Sequence, residues 1–373
     1  MQSNQISLFD AQTKPKILSL FSGCGGLDLG FHQAGFETVW ANDFSHWACE
    51  SFRKNIGDVI VEGDIEQIDP NDPAIPDCDI ILGGFPCQDF SMIWKQPGLD
   101  GERGNLYKSF LRFVNAKKPK VFVAENVKGL LTANKKKAIQ QIITDFESCG
   151  YYVQAKLYNF AEFGVPQFRE RVLIVGVRLD TGFDFHHPEP THNANGENGL
   201  KPYVTAGQAV SNIPSDAMNN ELMKISDKTR QMLSLIPEGG NFTDIPKDHP
   251  LYVKGMISHV YRRMHRDEPS KTIIAAGGGG TWGYHFPEPR AFTNRERARL
   301  QSFPDDFEFI GSTTEVRRQI GNAVPPQGVV ELAKAILPIF SGNYKKVDLH
   351  EKLEAEKAEV FQERLNKIRG GKR

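Results

Sequence analysis

The feature that most constrains this chain is a series of short, nearly uninterrupted apolar runs separated by longer polar, helix-forming stretches. The runs fall at residues 17–21, 38–40, 59–61, 80–82, 121–123 and 172–175, all within the first half of the sequence. A strand that is apolar on both faces must be covered on both faces. Such strands, joined by crossovers, predict a doubly wound α/β domain built on a mostly parallel sheet. Domains of this kind bind ligands at the carboxyl ends of their strands. The residues that follow each run therefore carry most of the functional information.

At 373 residues the chain exceeds the usual size of one domain. The strand and helix pattern weakens after about residue 180, where Gly, Pro, Asn and His become common, and returns after residue 290. The predicted division is a catalytic and cofactor-binding domain over 14–184, a smaller loop-rich domain over 185–310, and a return to the first domain over 311–345. A charged, solvated C-terminal helix and tail follow over 346–373. Thr293 with Glu296 three positions on forms a capping-box pattern, predicting a helix over 293–301. Pro325 and Pro326 open a further helix predicted over 323–340.

Residues 1–15 are polar, with no apolar core of a secretory signal, and no apolar run reaches the length of a membrane span. The expectation is a cytoplasmic protein. The five cysteines are odd in number and none pairs at CxxC spacing, which argues against a zinc site or a disulfide framework. No metal is expected. The net charge of −1 conceals segregation. Residues 37–79 hold eleven acids against Arg53 and Lys54, whereas 254–271 holds Lys254, Arg262, Arg263, Arg266 and Lys271 against Asp267 and Glu268. A local basic face of this kind can meet phosphates while the rest of the surface stays acidic.

The first strand runs directly into Phe21-Ser22-Gly23-Cys24-Gly25-Gly26-Leu27. Its glycines permit a tight strand-to-helix turn and close approach of a ligand to backbone. Alone, the loop suits NAD, FAD or S-adenosylmethionine. Asp43 ends the second strand about 20 residues on, where an acid can take both ribose hydroxyls. Asp64, after the third strand, is placed to accept from an adenine amino group, and Phe21, Phe44 and Ile65 are placed to sandwich the ring. Three consecutive strand ends with suitable side chains favour an adenosine cofactor.

The fourth strand ends in Gly83-Gly84-Phe85-Pro86-Cys87-Gln88. A cysteine stiffened by a proline at a ligand edge reads as a nucleophile, which acts as its thiolate. The next strand ends in Ala124-Glu125-Asn126-Val127, and Gln167-Phe168-Arg169-Glu170-Arg171 precedes the last. Thiol, carboxyl and guanidinium groups thus converge on adjacent strand tips.

These motifs, with Arg299-Leu300-Gln301-Ser302-Phe303-Pro304 and Gln319-Ile320-Gly321-Asn322-Ala323-Val324-Pro325-Pro326, occur in the order found in the cytosine carbon-5 DNA methyltransferases. The chain resembles that family, of the bacterial restriction–modification type, over nearly its whole length. Two departures are mild: Asp43 stands where Glu is commoner, and Phe168 where the family often has a polar residue.

The resemblance implies an S-adenosylmethionine-dependent enzyme in which the Cys87 thiolate attacks carbon 6 of a flipped cytosine. Glu125 would bond the ring nitrogen and amino group. Arg171, with Arg169 nearby, would hold the carbonyl oxygen or adjacent phosphate. Asn126 would orient Pro86 and Cys87, with Gln88 beside them. The implied cofactor set is Phe21, Ser22, Gly23, Gly25, Gly26, Leu27, Asp43, Phe44, Asp64, Ile65, Gly84, Pro86 and Leu106. Asn322, Ala323 and Val324 would support the cofactor-side loop.

Residues 88–107, hinged at Gly98, Gly101 and Gly104, would close over the pocket. Within 185–289, duplex DNA would be read by Arg262, Arg263, Arg266, Lys271, Gly278, Gly279, Thr281, Trp282 and Tyr284, aided by Gln88, Ser91 and Arg103. The implied setting is a monomer with a cognate restriction endonuclease as functional partner and no membrane. The rival readings are an RNA cytosine methyltransferase on the same catalytic set, an NAD-dependent oxidoreductase, and a catalytically dead DNA-binding module. Cys87, Glu125 and the arginine pair argue against the last two.

Overall fold

A computed structural model describes residues 14–86, 106–255, 260–275, 283–357 and 368–369. Cys87, Gln88, Ser91, Arg103, Gly278, Gly279, Thr281 and Trp282 lie outside the described residues, as does most of the 88–107 loop.

Seven strands form one sheet: β1 (Lys16–Leu20), β2 (Glu37–Asp43), β3 (Ile60–Glu62), β4 (Ile80–Gly83), β5 (Val121–Val127), β6 (Tyr151–Asn159) and β7 (Glu170–Arg178), in the order β3-β2-β1-β4-β5-β7-β6. The first five are parallel, and β7 runs antiparallel to both β5 and β6. The order therefore reverses between β1 and β4, which opens a crevice at their carboxyl ends. Because β7 is reversed, its first residues, not its last, lie at that same edge.

Strand periodicity sorts the core onto two faces. Beside β2 and β3, α2 (His46–Asn55) packs Cys49 and Phe52 on Ala41 and Ile60, while Ile81, Phe122, Ala124, Val172 and Ile174 pack against α3 (Leu106–Lys117) and α4 (Lys137–Ser148) through Phe110, Phe113, Ile139, Ile142 and Phe146. Their neighbours Ile80, Leu82, Val121, Val123, Leu173 and Val175 face the other way, against Phe31 of α1 (Gly26–Gln33) and Val329, Leu332 and Ile336 of α9 (Pro326–Ile336). Helices α1 and α9 approach so closely that a Cβ on Gly30 would lie 2.4 Å from the Pro326 carbonyl oxygen. Only glycine fits there.

The sheet has one strand more than the apolar runs predict. Strand β6 was not anticipated, because Gln154 and Lys156 interrupt its apolar pattern. The helix predicted over 323–340 is two helices. Pro338 lacks the N–H that would continue α9, and a short α10 (Pro338–Ser341) restarts there. The C-terminal α11 (Leu349–Lys357) is not simply solvated: Leu349 and Leu353 are buried in the second core face, and Tyr152 of β6 donates to Glu356.

The loop-rich region holds β8 (His192–Asn193) paired with β9 (Lys201–Pro202), α5 (Ala206–Val210) and α6 (Asp227–Leu235). The capping box expected at Thr293 and Glu296 is present and starts α7 (Asn294–Leu300), which α8 (Thr313–Asn322) follows. Phe303, Phe307 and Phe309 cluster with Cys24 of the first loop and with Ala206, Met264 and Ile273 of the loop-rich region. The glycine loop and the loop-rich region thus share one small core. Among the described residues no helix is long and apolar enough to cross a membrane, and no group of His, Cys, Asp or Glu is arranged to hold a metal ion.

Candidate active site

The glycine loop is held by the strand beside it. The Ser22 backbone N–H and hydroxyl both donate to the Asn42 carbonyl, at 3.1 and 2.9 Å. Asp43 accepts from the Gly23 N–H at 2.8 Å with one oxygen and from the Ser45 N–H at 2.9 Å with the other. Its first structural job is thus to clip the loop to β2, while each oxygen retains a further lone pair. Burial raises the Asp43 carboxyl above its usual range, opposed by the N–H groups of Ser45, Gly23 and Phe44.

The loop is backed from below. A Cβ on Gly26 would sit 2.4 Å from the Val324 carbonyl oxygen and 3.3 Å from Ala323 Cβ, beside buried Leu27. Ala323 and Val324 therefore support the loop directly, whereas Asn322 is exposed at the end of α8. In front of the loop the space is open: a Cβ built on Gly23 meets nothing within 4 Å. Phe44, at the edge of the crevice, leaves 78% of its surface exposed, while Ile65 is buried and Phe21 packs partly into the first core face. Asp64 is exposed and caps the short 3-10 turn Ile65–Gln67 by accepting from the Glu66 N–H at 3.0 Å. Arg112 of α3 holds that turn through the Ile65 carbonyl at 2.7 Å. Leu106, half-buried, begins α3.

At the tips of β4, β5 and β7 the polar groups converge. Asn126 is buried. Its amide nitrogen donates to the Phe85 carbonyl at 2.9 Å and its amide oxygen accepts from the Val127 N–H at 2.9 Å. The amide therefore fixes the backbone one residue before exposed Pro86, to which Cys87 is joined. Diagonally across β5 and β7, where Arg171 pairs with Val127 and Glu125 with Leu173, Glu125 and Arg171 form an ion pair, Nε to Oε1 2.8 Å, with side chains only 13% and 14% exposed. Gly84 leaves room for the carboxylate: a Cβ there would lie 3.1 Å from Glu125 Oε2. Arg171 also donates to the Glu170 carbonyl at 2.8 Å, which aims its guanidinium along the strand tip. Burial pushes the thiols of Cys24, Cys49 and Cys78 up to about 12, so none of the three is a thiolate near neutral pH.

Several residues expected to meet substrate are engaged elsewhere. Arg169, expected beside Arg171, is fully buried and donates to the carbonyls of Ile273, Gly321 and Ala323 at 2.9–3.1 Å. Desolvation lowers its pKa from the usual arginine value to about 9. It is a tie between β7, the loop-rich region and the turn under the glycine loop. Arg263, expected on phosphates, is buried and donates to the carbonyls of Leu233, Ile236, His285 and Phe286. Tyr284, expected in a groove, is buried and stacks on Tyr261 at 6.0 Å. Arg266 is exposed but holds Glu238, with Nε 3.0 Å from both oxygens. Arg262 is half-buried, and Lys271 is exposed.

Gln167, a further polar residue of the motif that carries Arg169 and Arg171, has a structural role. It is completely buried, donates to the Leu300 carbonyl at 3.1 Å and the Gln301 side-chain oxygen at 3.0 Å, and accepts from the Ile273 N–H at 2.9 Å. A polar residue two positions before Arg169 on an extended segment shares its face, and that periodicity was the available signal.

Comparison with known proteins identifies the family of the chain. Residues 15–338 match the family model described as C-5 cytosine-specific DNA methylase. The chain is 90% identical over 373 residues to type II methyltransferase M.NgoFVII of Neisseria gonorrhoeae, covering all of both chains. It is 43% identical to type II methyltransferase M.BbvI of Brevibacillus brevis, over 94% of this chain and 98% of the relative. In fold it resembles the S. pombe Dnmt2 methyltransferase, with TM-score 0.63 and 19% identity over 89% of this chain and all of the other. The Entamoeba histolytica methyltransferase EhMeth is similar at TM-score 0.64 and 16% identity, over 90% of this chain and all of that one. These matches show that the chain is an enzyme and that it belongs to the C-5 cytosine-specific DNA methylases.

Proposed function

We propose that this enzyme methylates carbon 5 of a cytosine within one short sequence of duplex DNA, using S-adenosylmethionine and a covalent bond to Cys87, and that it is the protective methylase of a restriction–modification system. The observation that carries the reading is the Glu125–Arg171 pair, poorly exposed and diagonal across adjacent strand tips beside the turn that Asn126 clamps.

The residues fit an adenosine-bearing cofactor. Open space lies before Gly23, an unspent aromatic face is offered by Phe44, and Asp64 is free to accept from an amino group on its exposed side. Asp43 would meet the ribose with its remaining lone pairs, Phe21 and Ile65 would line the ring, and Ser22, Gly25, Gly84, Pro86 and Leu106 would border the rest. Bound there, S-adenosylmethionine supplies the electrophilic methyl group that carbon 5 takes.

Carbon 5 of cytosine is a weak nucleophile, so the protein must first break the aromaticity of the ring. The Cys87 thiolate adds to carbon 6, and Glu125 holds a proton at the ring nitrogen, which turns the ring into an enamine. Arg171 keeps the Glu125 carboxyl in place and faces the carbonyl oxygen or adjacent phosphate. Removal of the carbon-5 proton then expels the thiol and restores the ring. Because the reacting carbons are stacked in a duplex, the cytosine must be flipped into the crevice. Residues 185–289 would read the sequence, with Gln88, Ser91, Arg103, Gly278, Gly279, Thr281 and Trp282 as groove and backbone candidates. The enzyme would work as a cytoplasmic monomer.

Transfer from labelled S-adenosylmethionine to mixed-sequence duplex DNA, with the modified bases mapped, tests the proposal. The expected product is 5-methylcytosine in a single short context. Label in tRNA alone would replace DNA with RNA as substrate, and label on an amino nitrogen would refute the chemistry.

A further inference from the structure

Phe168 lies three residues before Arg171, so its Cα is within about 10 Å of that residue's Cα along an extended chain. Its backbone is pinned to the segment that leads toward the glycine run at 277–280. The Phe168 N–H donates to the Ser270 carbonyl at 2.8 Å, the Thr272 hydroxyl donates to the Phe168 carbonyl at 2.8 Å, and Gln167 bridges to Ser270 in parallel register. The ring is only half-buried. Tyr203 braces it edge-on, with centroids 5.8 Å apart and planes at 86°. Over the ring stands the Lys271 ammonium, 5.1 Å from the centroid.

The cations of this region are held in three different ways. Arg263 is saturated by carbonyls, and Arg266, also 5.6 Å from the Phe286 ring centroid, faces a carboxylate at close range. Lys271 has a carboxylate only at a distance: Glu268 Oε2 is 3.7 Å from Nζ, beyond hydrogen-bond length. Its other support is an aromatic face. A ring attracts an ammonium through its quadrupole without neutralising it. The side chain is thereby ordered while its charge and its three donors remain available, and nearly half of it is exposed.

We propose that Phe168, Tyr203 and Lys271 form an anchor for the DNA backbone at the lip of the catalytic crevice, with Phe168 the positioning residue that holds the Lys271 ammonium toward one phosphate of the duplex. The occupant is a phosphate because the group is a compact point cation with donors only and without the planar fork that matches a base edge. The inference rests on duplex DNA as the substrate and adds a specific backbone contact, near the reacting strand tips, that is supplied by an aromatic ring.

The test is a double-mutant cycle on the full chain, measuring duplex affinity against salt with S-adenosylhomocysteine present. Lys271→Ala is expected to weaken binding equally for specific and non-specific duplexes and to reduce the salt slope by about one. Phe168→Leu keeps apolar bulk but removes the quadrupole, and is expected to weaken binding about two- to five-fold; Phe168→Tyr restores it. In the Lys271→Ala background Phe168→Leu adds no further loss. Glu268→Gln, which removes the competing carboxylate, tightens binding about two-fold. S-adenosylhomocysteine affinity and melting temperature, followed in each variant, report any damage to the fold. If Phe168→Leu and Lys271→Ala weaken binding additively, Phe168 is ordinary packing and the anchor is overturned. The anchor also falls if Lys271→Ala leaves affinity and slope at wild-type values. Failure of the wild-type enzyme to bind duplex DNA at all would instead overturn the substrate reading beneath it.

Discussion

Replacing Gln167 by leucine removes a side chain that satisfies three buried groups at once. The Ile273 N–H loses its acceptor, and the Leu300 carbonyl and Gln301 side-chain oxygen lose a donor. Leucine matches the volume but not the bonds, and Gln167 is wholly buried, so no water replaces them. An orphaned buried polar group costs about 1–3 kcal/mol. Two of these groups, the Ile273 N–H and Gln301 Oε1, depend on this side chain, which puts the total at about 2–6 kcal/mol. Unfolding entropy of about 2.1 cal/mol/K per residue across the chain converts this to a fall in melting temperature of roughly 3–8 °C. Gln167→Glu is more informative. An ionised carboxylate could still accept from Ile273, but its second oxygen would face two acceptors, Leu300 O and Gln301 Oε1. Protonation supplies the missing donor, so this variant should recover stability as pH falls from 8 to 5.5 while Gln167→Leu does not. Calorimetry at both pH values is the assay. A Gln167→Leu loss below 1 °C, or no pH recovery in Gln167→Glu, would refute the view that this side chain joins three segments.

Two further outcomes follow from the region around the glycine loop. Gly26→Ala places a methyl 2.4 Å from the Val324 carbonyl oxygen, so loop or turn must move by several tenths of an ångström. Overpacking of this kind costs about 1–3 kcal/mol, and isothermal titration should find S-adenosylhomocysteine bound roughly ten-fold or more weakly; unchanged affinity would contradict the backing role of Val324. Asp28 is buried and accepts from the hydroxyls of Ser19 and Thr38 at 2.8 Å each, and desolvation, against the pull of His32, raises its carboxyl above the usual range. The stability a raised carboxyl contributes is full below its unfolded value of 3.8 and is lost as pH rises through the folded value. Asp28→Asn removes that loss, so its melting temperature relative to wild type should rise between pH 5 and 8, and a flat or falling difference would count against the buried charge.

How much was legible follows the physics of each element. Strands β1, β4 and β5 announced themselves because both faces are buried and the apolar run is nearly unbroken. Strand β6 did not, since Gln154 and Lys156 sit where an edge strand tolerates polarity. The direction of β7 was also hidden, because an apolar run reads the same either way, yet its reversal is what carries Arg171 to the same edge as Glu125. The charged residues were hardest. Arg169, Arg171 and Arg263 look alike as letters, but carbonyl-lined burial makes two of them internal ties and leaves one facing a carboxylate in the crevice. Sequence shows that a charge exists and not which backbone oxygens surround it.

The central claim is that Cys87 bonds to carbon 6 of the target cytosine, and it is tested most directly with a duplex carrying 5-fluorocytosine in the methylated context. Fluorine cannot leave as a proton does, so the thiol cannot be expelled after methyl transfer. The account predicts a denaturant-stable enzyme–DNA adduct, dependent on S-adenosylmethionine, formed by the wild type and absent in Cys87→Ala. Methylation of ordinary duplex by Cys87→Ala, or a wild-type enzyme that turns over without forming the adduct, would contradict it.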